Sequence, residues 1–266
     1  MERKRRELAH VLAQFFNAHK HAMYKPILAA YSGEKAYARK DASASPELLA
    51  ELERLVALLD LAPFESLPNE VTSILMEVAR NGGKEALVQV MGTGADINDL
   101  LTFVDDRAVA WAQERSAEMI GMRRLADGSL IENPNAEWAI DDATRDMIQD
   151  TIEQALKEGW SSDRLSKELS DNYGFSGERA DAIARTEMSM ADAESHQGAW
   201  KDAGVEHKQW LRSNEGFPCA PCEMNAMDGV IHMDEAFSSG DMSEPQHPNC
   251  ECVVIPVIEE QEGETP

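Results

Sequence analysis

The stretch FPCAPCEMNAMDG, residues 217–229, is followed by EPQHPNCECVVIP, residues 244–256. Together they hold every cysteine of the chain, Cys219, Cys222, Cys250 and Cys252, with His247 three residues ahead of the second pair. The spacing is C-x-x-C and then H-x-x-C-x-C. Tetrahedral metal sites take Cys and His ligands in short pairs, because a two-residue gap lets one tight turn aim both thiolates inward. In the second stretch Cys250 and Cys252 point to the same side of an extended chain, while His247 can reach back across Pro248-Asn249. Five donors thus compete for four positions, with His247 and Cys252 as alternatives for the fourth. The expectation is one structural zinc ion.

Two other readings of the thiols fit the sequence less well. Four free cysteines packed as small apolar groups would not be expected to gather into two dyads. A redox C-x-x-C usually heads a helix that lowers its thiol pKa, whereas Pro218 and Pro221 flank this one and no βαβ pattern surrounds it. FPCAPC also matches half of a zinc deaminase motif, but no upstream His has Glu two residues on. Neither H-E-x-x-H nor a phosphate-cradling G-x-x-x-x-G-K-[ST] loop occurs.

Outward from the cysteines, short alternating or apolar runs, VEHKQWL, VIHM and CVVIPV, fit strands of a small sheet. Before them lies helical texture. Ser176 is placed to cap some twenty-five residues rich in Ala, Met, Glu and Arg that run to Gly204. Ala143, Met147, Ile148, Ile152 and Leu156 form a helical stripe that Gly159 can close, with Ser161 or Ser162 opening the next helix. The segment ADGSLIENPNAE, residues 126–137, reads as a linker, and the glycines at 82, 83, 92 and 94 interrupt helical periodicity. Leu8, Val11, Leu12, Phe15, Phe16, His19 and Met23 mark an amphipathic first helix. A second, with Leu48, Leu52, Leu55, Val56 and Leu59, has Ser45 as cap and Pro46 at its first position. The fold class is α+β, a mostly helical N-terminal two-thirds followed by a small C-terminal β-sheet bearing a Cys/His metal site.

Composition narrows the function. A chain of 266 residues can bury a core without disulfides, and four cysteines are too few for a disulfide scaffold. No apolar run approaches the roughly 18 residues of a membrane helix, so no membrane partner is expected. The opening MERKRRELAHVLAQFF is basic, but His10, Gln14 and Asn17 break its apolar run and no cleavage site follows, so a cytosolic chain with reduced thiols is expected. The formal charge is −24, yet residues 1–40 carry Arg3, Lys4, Arg5, Arg6, Lys20, Lys25, Lys35, Arg39 and Lys40 against Glu2, Glu7 and Glu34. The acidic remainder repels phosphates, which argues against generic nucleic-acid binding. The basic start is either a solvated helix face or an arm for an acidic partner, and its apolar stripe packs either within the chain or on another protein.

The order ADAIARTEMSMA, GAWKDAGVEHKQWL, CAPC, DGV and PQHPNCECVVIP resembles the Mu F-like domain of tailed-phage minor head proteins, also called head morphogenesis proteins. The resemblance covers about residues 106–258 and is strongest over 185–256. It rests on Arg185-Thr186-Glu187, Trp210, Cys219 with Cys222, and the run His247 to Cys252; Glu251 stands where the family usually has Arg. It implies residues 105–258 as the Mu F-like domain; residues 1–104, which the resemblance does not reach, are a helical region by their patterning, and 259–266, acidic and without a core-forming residue, are a disordered tail. It also implies a low-copy capsid component that meets portal or capsid proteins in the host cytoplasm, assists DNA packaging or delivery, and remains in the virion head. The competing class is a metal-dependent nuclease or transferase. Consecutive helical residues fan over roughly 200°, so Arg185, Thr186 and Glu187 cannot all face one site. A bridge from Arg185 or Glu187 to the sheet is expected instead, with Trp200 and Trp210 in the core.

Overall fold

The computed structural model describes residues 1–31, 46–92, 96–213 and 219–258. Ser45, Pro218 and the tail 259–266, expected as a cap, a flank of the dyad and a disordered segment, lie outside the described residues. The chain is α+β, mostly helical with a small antiparallel sheet near its C-terminus. It divides into two compact units, one of residues 6–72 and 113–181, the other of residues 1–5, 73–112 and 182–266.

In the first unit, helix α1 (Glu2–Ala30) buries Leu8, Leu12, Phe15, Phe16, Met23, Tyr24 and Ile27. These recur at helical spacing, and burying each large side chain contributes about 1.5–3 kcal/mol. Rings complete the cover: Phe15 lies 5.2 Å from Phe64, and Phe16 and Tyr24 lie 6.4 and 6.2 Å from Phe175. The stripe therefore packs within the chain, which answers the alternative left open above. Helix α2 (Pro46–Val56) starts at the proline, whose missing N–H is harmless at a helix start, and buries Leu48, Leu52 and Leu55.

Helix α3 (Leu67–Met91) and helix α4 (Asn98–Glu118) follow. Residues 126–137, expected as a linker, instead make the turn and second strand of a hairpin, β1 (Met122–Arg124) with β2 (Leu130–Glu132). Asp127 is responsible, because its Oδ1 accepts from Ser129 N–H at 3.0 Å and Ser129 Oγ at 2.6 Å. Helix α5 (Ile140–Glu158) ends on Gly159 at φ 65°, and helix α6 (Ser162–Ser170) is capped by Ser161, whose hydroxyl accepts from Arg164 N–H. Helix α7 (Gly177–Asp202) begins where Ser176 Oγ accepts from Arg179 N–H at 3.0 Å. Arg179, 5% exposed, then donates to Thr144 Oγ1, Gly174 O and Ile140 O at 2.8, 2.6 and 2.9 Å. Burial lowers its pKa to about 10, and these three acceptors replace the lost water.

In the second unit the sheet runs β4-β3-β5, all antiparallel, from β3 (His207–Leu211), β4 (Val230–His232) and β5 (Val253–Val257). Its inner face presents Trp210 and Val254 to a core that includes Leu87, Val104, Trp200, Phe237, Cys222 and Cys252. Both tryptophans are core residues, as expected. Pro256 stands opposite Lys208 on β5 and has no N–H, which places the outward donors of that edge at alternate residues. Val254 N–H accordingly turns away from β3 to the Glu244 carboxylate at 3.0 Å, and on the other edge His232 N–H meets Glu235 Oε2 at 3.3 Å.

The glycines at 82 and 83 do not interrupt α3, which runs through them to Met91. Their role is close approach. A Cβ on Gly83 would lie 2.6 Å from Val104 Cγ1 of α4, and one on Gly82 would lie 2.5 Å from Ser195 Oγ of α7. Valine is held to one main χ1 rotamer in a helix, so Val104 cannot swing aside. Gly83→Ala gains about 1 kcal/mol of helix propensity but overpacks by about 1–3 kcal/mol. The expected outcome is a net loss of about 1 kcal/mol, read from urea denaturation midpoints. A midpoint at or above that of the parent would refute the packing argument.

Candidate metal centre

Helix α8 (Ala220–Met227) starts from Cys219 as its N-cap, with Pro221 in the first turn. The C-x-x-C does head a helix, contrary to the reading of its flanking prolines, because proline is well suited to a first turn that needs no N–H donor. Glu223 N–H bonds back to Cys219 O at 2.9 Å, so one helical turn sets the spacing of the two thiols. Gly229 at φ 69° lets the chain leave α8 for β4.

The second ligand segment is a turn. Cys250 N–H donates to His247 O at 3.0 Å, Pro248 takes the second position, and Asn249 has φ 59°. Proline followed by a residue tolerant of positive φ is the signature of a type II turn. Cys252 then enters β5 directly.

These elements bring all five expected residues together in two overlapping groups. The donor atoms of Cys219, Cys222 and His247 lie within 4.8 Å of one another, as do those of Cys222, Cys250 and Cys252. Cys222 belongs to both and is 1% exposed; Cys252 is 7% exposed, and the other thiols are half-buried. The Sγ atoms of Cys222 and Cys250 are 3.8 Å apart. Two thiolates at about 2.3 Å from one tetrahedral ion stand roughly 3.8 Å apart, so the donor spacing fits zinc. All four thiols are free. Burial, followed by the neighbouring Cys219 and Cys250, pushes the Cys222 thiol well above its ordinary range, and burial also raises Cys250. Raised thiols are the reverse of a redox dyad, and a cation among them would invert the effect by holding the thiolates.

What holds the second segment in place was missed in sequence reading. Thr186 Oγ1, on α7, donates to Ala182 O at 3.0 Å and accepts from Asn249 N–H at 3.2 Å. The residue between Arg185 and Glu187 thus makes a bridge of its own from α7 to the ligand segment. Met242 O accepts from both Gln197 Nε2 (2.6 Å) and Lys208 Nζ (2.7 Å). Lys208 is fully buried on β3, its pKa lowered to about 8 by burial, with its ammonium 5.1 Å from the Phe237 ring. A lysine flanked by β-pattern residues gives no sequence signal of burial, because its partner is a backbone carbonyl. Glu251, at the family's Arg position, accepts from Ser213 Oγ at 3.5 Å.

The sheet, the thiols and the helices leading to them coincide with a family match. Residues 146–255 match the family described as phage Mu protein F like protein, and this part of the chain is Mu F-like. An uncharacterized protein, YqbB, of Bacillus subtilis (strain 168) is 30% identical over 190 residues, which cover 66% of this chain and 56% of that protein. The chain thus aligns with little more than half the length of that relative. No solved structure matches it.

Two substitutions test the anchoring. Thr186→Val removes the acceptor for Asn249 N–H and should destabilise the second segment by about 1 kcal/mol, seen as faster amide exchange at Asn249, while Thr186→Ser retains protection. Unchanged exchange in the valine variant would mean that the contact holds nothing.

Glu244 tests the pH response. Burial pushes its carboxyl from 4.5 up to about 7. The native state then keeps a proton that the unfolded chain loses, so stability falls as pH rises from about 4.5 to about 7 and is level above. The full effect is on the order of 3 kcal/mol. Glu244→Gln keeps an acceptor for Val254 N–H without titrating, and should flatten that slope and raise stability at pH 8 in urea titrations. An unaltered slope would assign the dependence to other groups.

Proposed function

We propose that the chain is a minor head protein of a tailed phage that acts in head morphogenesis. It joins the procapsid in the host cytoplasm through portal or capsid proteins, assists DNA packaging or delivery, and stays in the virion head. Its Mu F-like domain extends over residues 105–258, with 1–104 as a helical region. The observation that carries this reading is the family match over residues 146–255, which spans the whole thiol cluster and the Thr186 anchor. No described helix is long and apolar enough to cross a membrane, in keeping with protein rather than lipid partners.

Within that role the cluster holds one structural zinc. Cys222 is a ligand in either arrangement, with Cys219 and Cys250 beside it and His247 or Cys252 as the fourth. When bound, zinc contributes a cross-link between α8 and the segment entering β5, and apparent binding free energies of about 10–16 kcal/mol become local folding energy. The donors stand in two sets of three that share Cys222, so a small approach of one set to the other closes a four-ligand site with no position left to water, which favours a structural over a catalytic metal. The chain's own residues set the geometry: the α8 turn spaces Cys219 and Cys222, and Thr186 fixes the turn that carries His247 and Cys250.

The test is co-expression with portal and capsid proteins followed by procapsid purification. The chain should co-elute with portal and carry about one zinc by elemental analysis. Cys222→Ser should lose the zinc and the order of the C-terminal sheet while retaining helical circular dichroism. Procapsids that never contain the chain would overturn the head role; protein without zinc but still incorporated would overturn only the metal.

A further inference from the structure

A second donor pair lies on the opposite face of the sheet from the thiols. Lys208 and Trp210 of β3 point into the core, so His207 points outward, and the register places it directly opposite His232 of β4. The kind of pairing follows from Pro256. Without an N–H, Pro256 makes Lys208↔Pro256 a pair that exchanges no ladder bonds, so the backbone of Lys208 turns to Ile231, and His207↔His232 is the next, non-hydrogen-bonded pair. The donation of Val254 N–H to Glu244 and of His232 N–H to Glu235, both away from β3, agrees with this parity. Non-hydrogen-bonded pairs bring side chains closest, with Cα atoms about 4.5 Å apart.

We propose that His207 and His232 form a second metal site, for a divalent transition ion that favours imidazole, such as Ni²⁺, Cu²⁺ or Zn²⁺. The ring centroids are 5.8 Å apart with planes at 81°. An ion about 2.0–2.1 Å from each ring nitrogen places two ring centres roughly 5.2 Å apart at a tetrahedral angle and roughly 6.4 Å in a straight line. The observed spacing falls between these without any backbone shift. The rings are reachable from solvent, since the His232 side chain is 48% exposed and His207 half-exposed. A cavity of about 320 Å³ lined by Glu206, His207, Val205 and Val257 opens beside His207, with room for water as a further ligand.

His232 has a carboxylate beside its ring. Its Nδ1 now accepts from Asp234 N–H at 3.2 Å, with Asp234 Oδ2 3.9 Å away. Binding an ion through Nε2 moves the ring proton from Nε2 to Nδ1 with no net proton change; the bond from Asp234 N–H is then lost, and the Asp234 carboxylate, 3.9 Å away, closes in to accept the Nδ1 proton. Lys201 holds that carboxylate near the strand at 2.8 Å.

The site is tested by titrating the full-length protein with Ni²⁺ and following imidazole signals by NMR. His207 and His232 should broaden together at lower ion concentration than His10 and His21. His207→Gln or His232→Gln should each weaken Ni²⁺ binding about tenfold or more, because the second imidazole then no longer acts at high effective concentration. The response should persist in protein whose thiols have first been filled with about one equivalent of Zn²⁺, which separates this site from the thiols. Unchanged affinity in His232→Gln, broadening no earlier than at His10 and His21, or loss of the response once the thiols are filled with Zn²⁺ would each overturn the proposal.

Discussion

The Cys222 thiol, 1% exposed at the first turn of α8, is shared by both donor groups, and the C-terminal sheet is arranged around it. Three strands of three to five residues cannot stand alone in water. The sheet is kept together by the contact of its inner face with α8 and by the segment 241–252 that closes over the thiols. That segment contains no regular element of its own. It is fixed at separate points by Lys208 and Gln197 on Met242 O, by Glu244 on Val254 N–H and by Thr186 on Asn249 N–H. Each bond satisfies a backbone group near the core, where an unmet partner would cost about 1–3 kcal/mol. The donor cluster is thus a consequence of where the segment is held as well as of where the cysteines fall.

The same economy of space explains α7. It buries Ala184, Ala191, Ala193 and Ala199 on more than one side, and Gly198 leaves the room that Arg107 fills: a Cβ there would lie within 2 Å of the guanidinium. Arg107 in turn reaches Asp202 at 2.7 Å. Gly82 and Gly83 on α3 meet α7 and α4 in the same way. Small residues in this unit therefore mark close helix approach and not chain breaks, and the helices so positioned carry Thr186 and Gln197 to the ligand segment.

Legibility followed the range of the interaction. The α1 stripe, the Ser161 and Ser176 caps, the Gly159 stop and the three strands were all readable, since each depends on neighbours within one turn or on strict alternation. The convergence of Cys219, Cys222, His247, Cys250 and Cys252 was readable because paired spacing itself encodes it. Gly92 does end α3, but Gly82 and Gly83 were misread because periodicity cannot distinguish a helix break from a helix contact; only Val104 and Ser195, distant in sequence, decide it. The hairpin at 122–132 was misread because its strands are three residues long and its turn is made by one aspartate side chain. Thr186 and Lys208 were invisible for a related reason, as both act on backbone groups more than 30 residues away.

The treatment of the sheet edges bears on how such a domain meets partners. Val254 N–H and His232 N–H, one on each edge, are taken by the carboxylates of Glu244 and Glu235, and Pro256 has no donor to offer. An edge so occupied resists strand addition, the mode by which exposed sheets recruit extended segments or aggregate. The outer face, by contrast, presents Leu211, Val230 and Val253 at 40%, 50% and 48% exposure, beside the histidine pair. Contact with another protein through this sheet therefore goes through side chains, whose identity selects the partner, and not through backbone, which would accept any extended chain. That difference is a basis of selectivity.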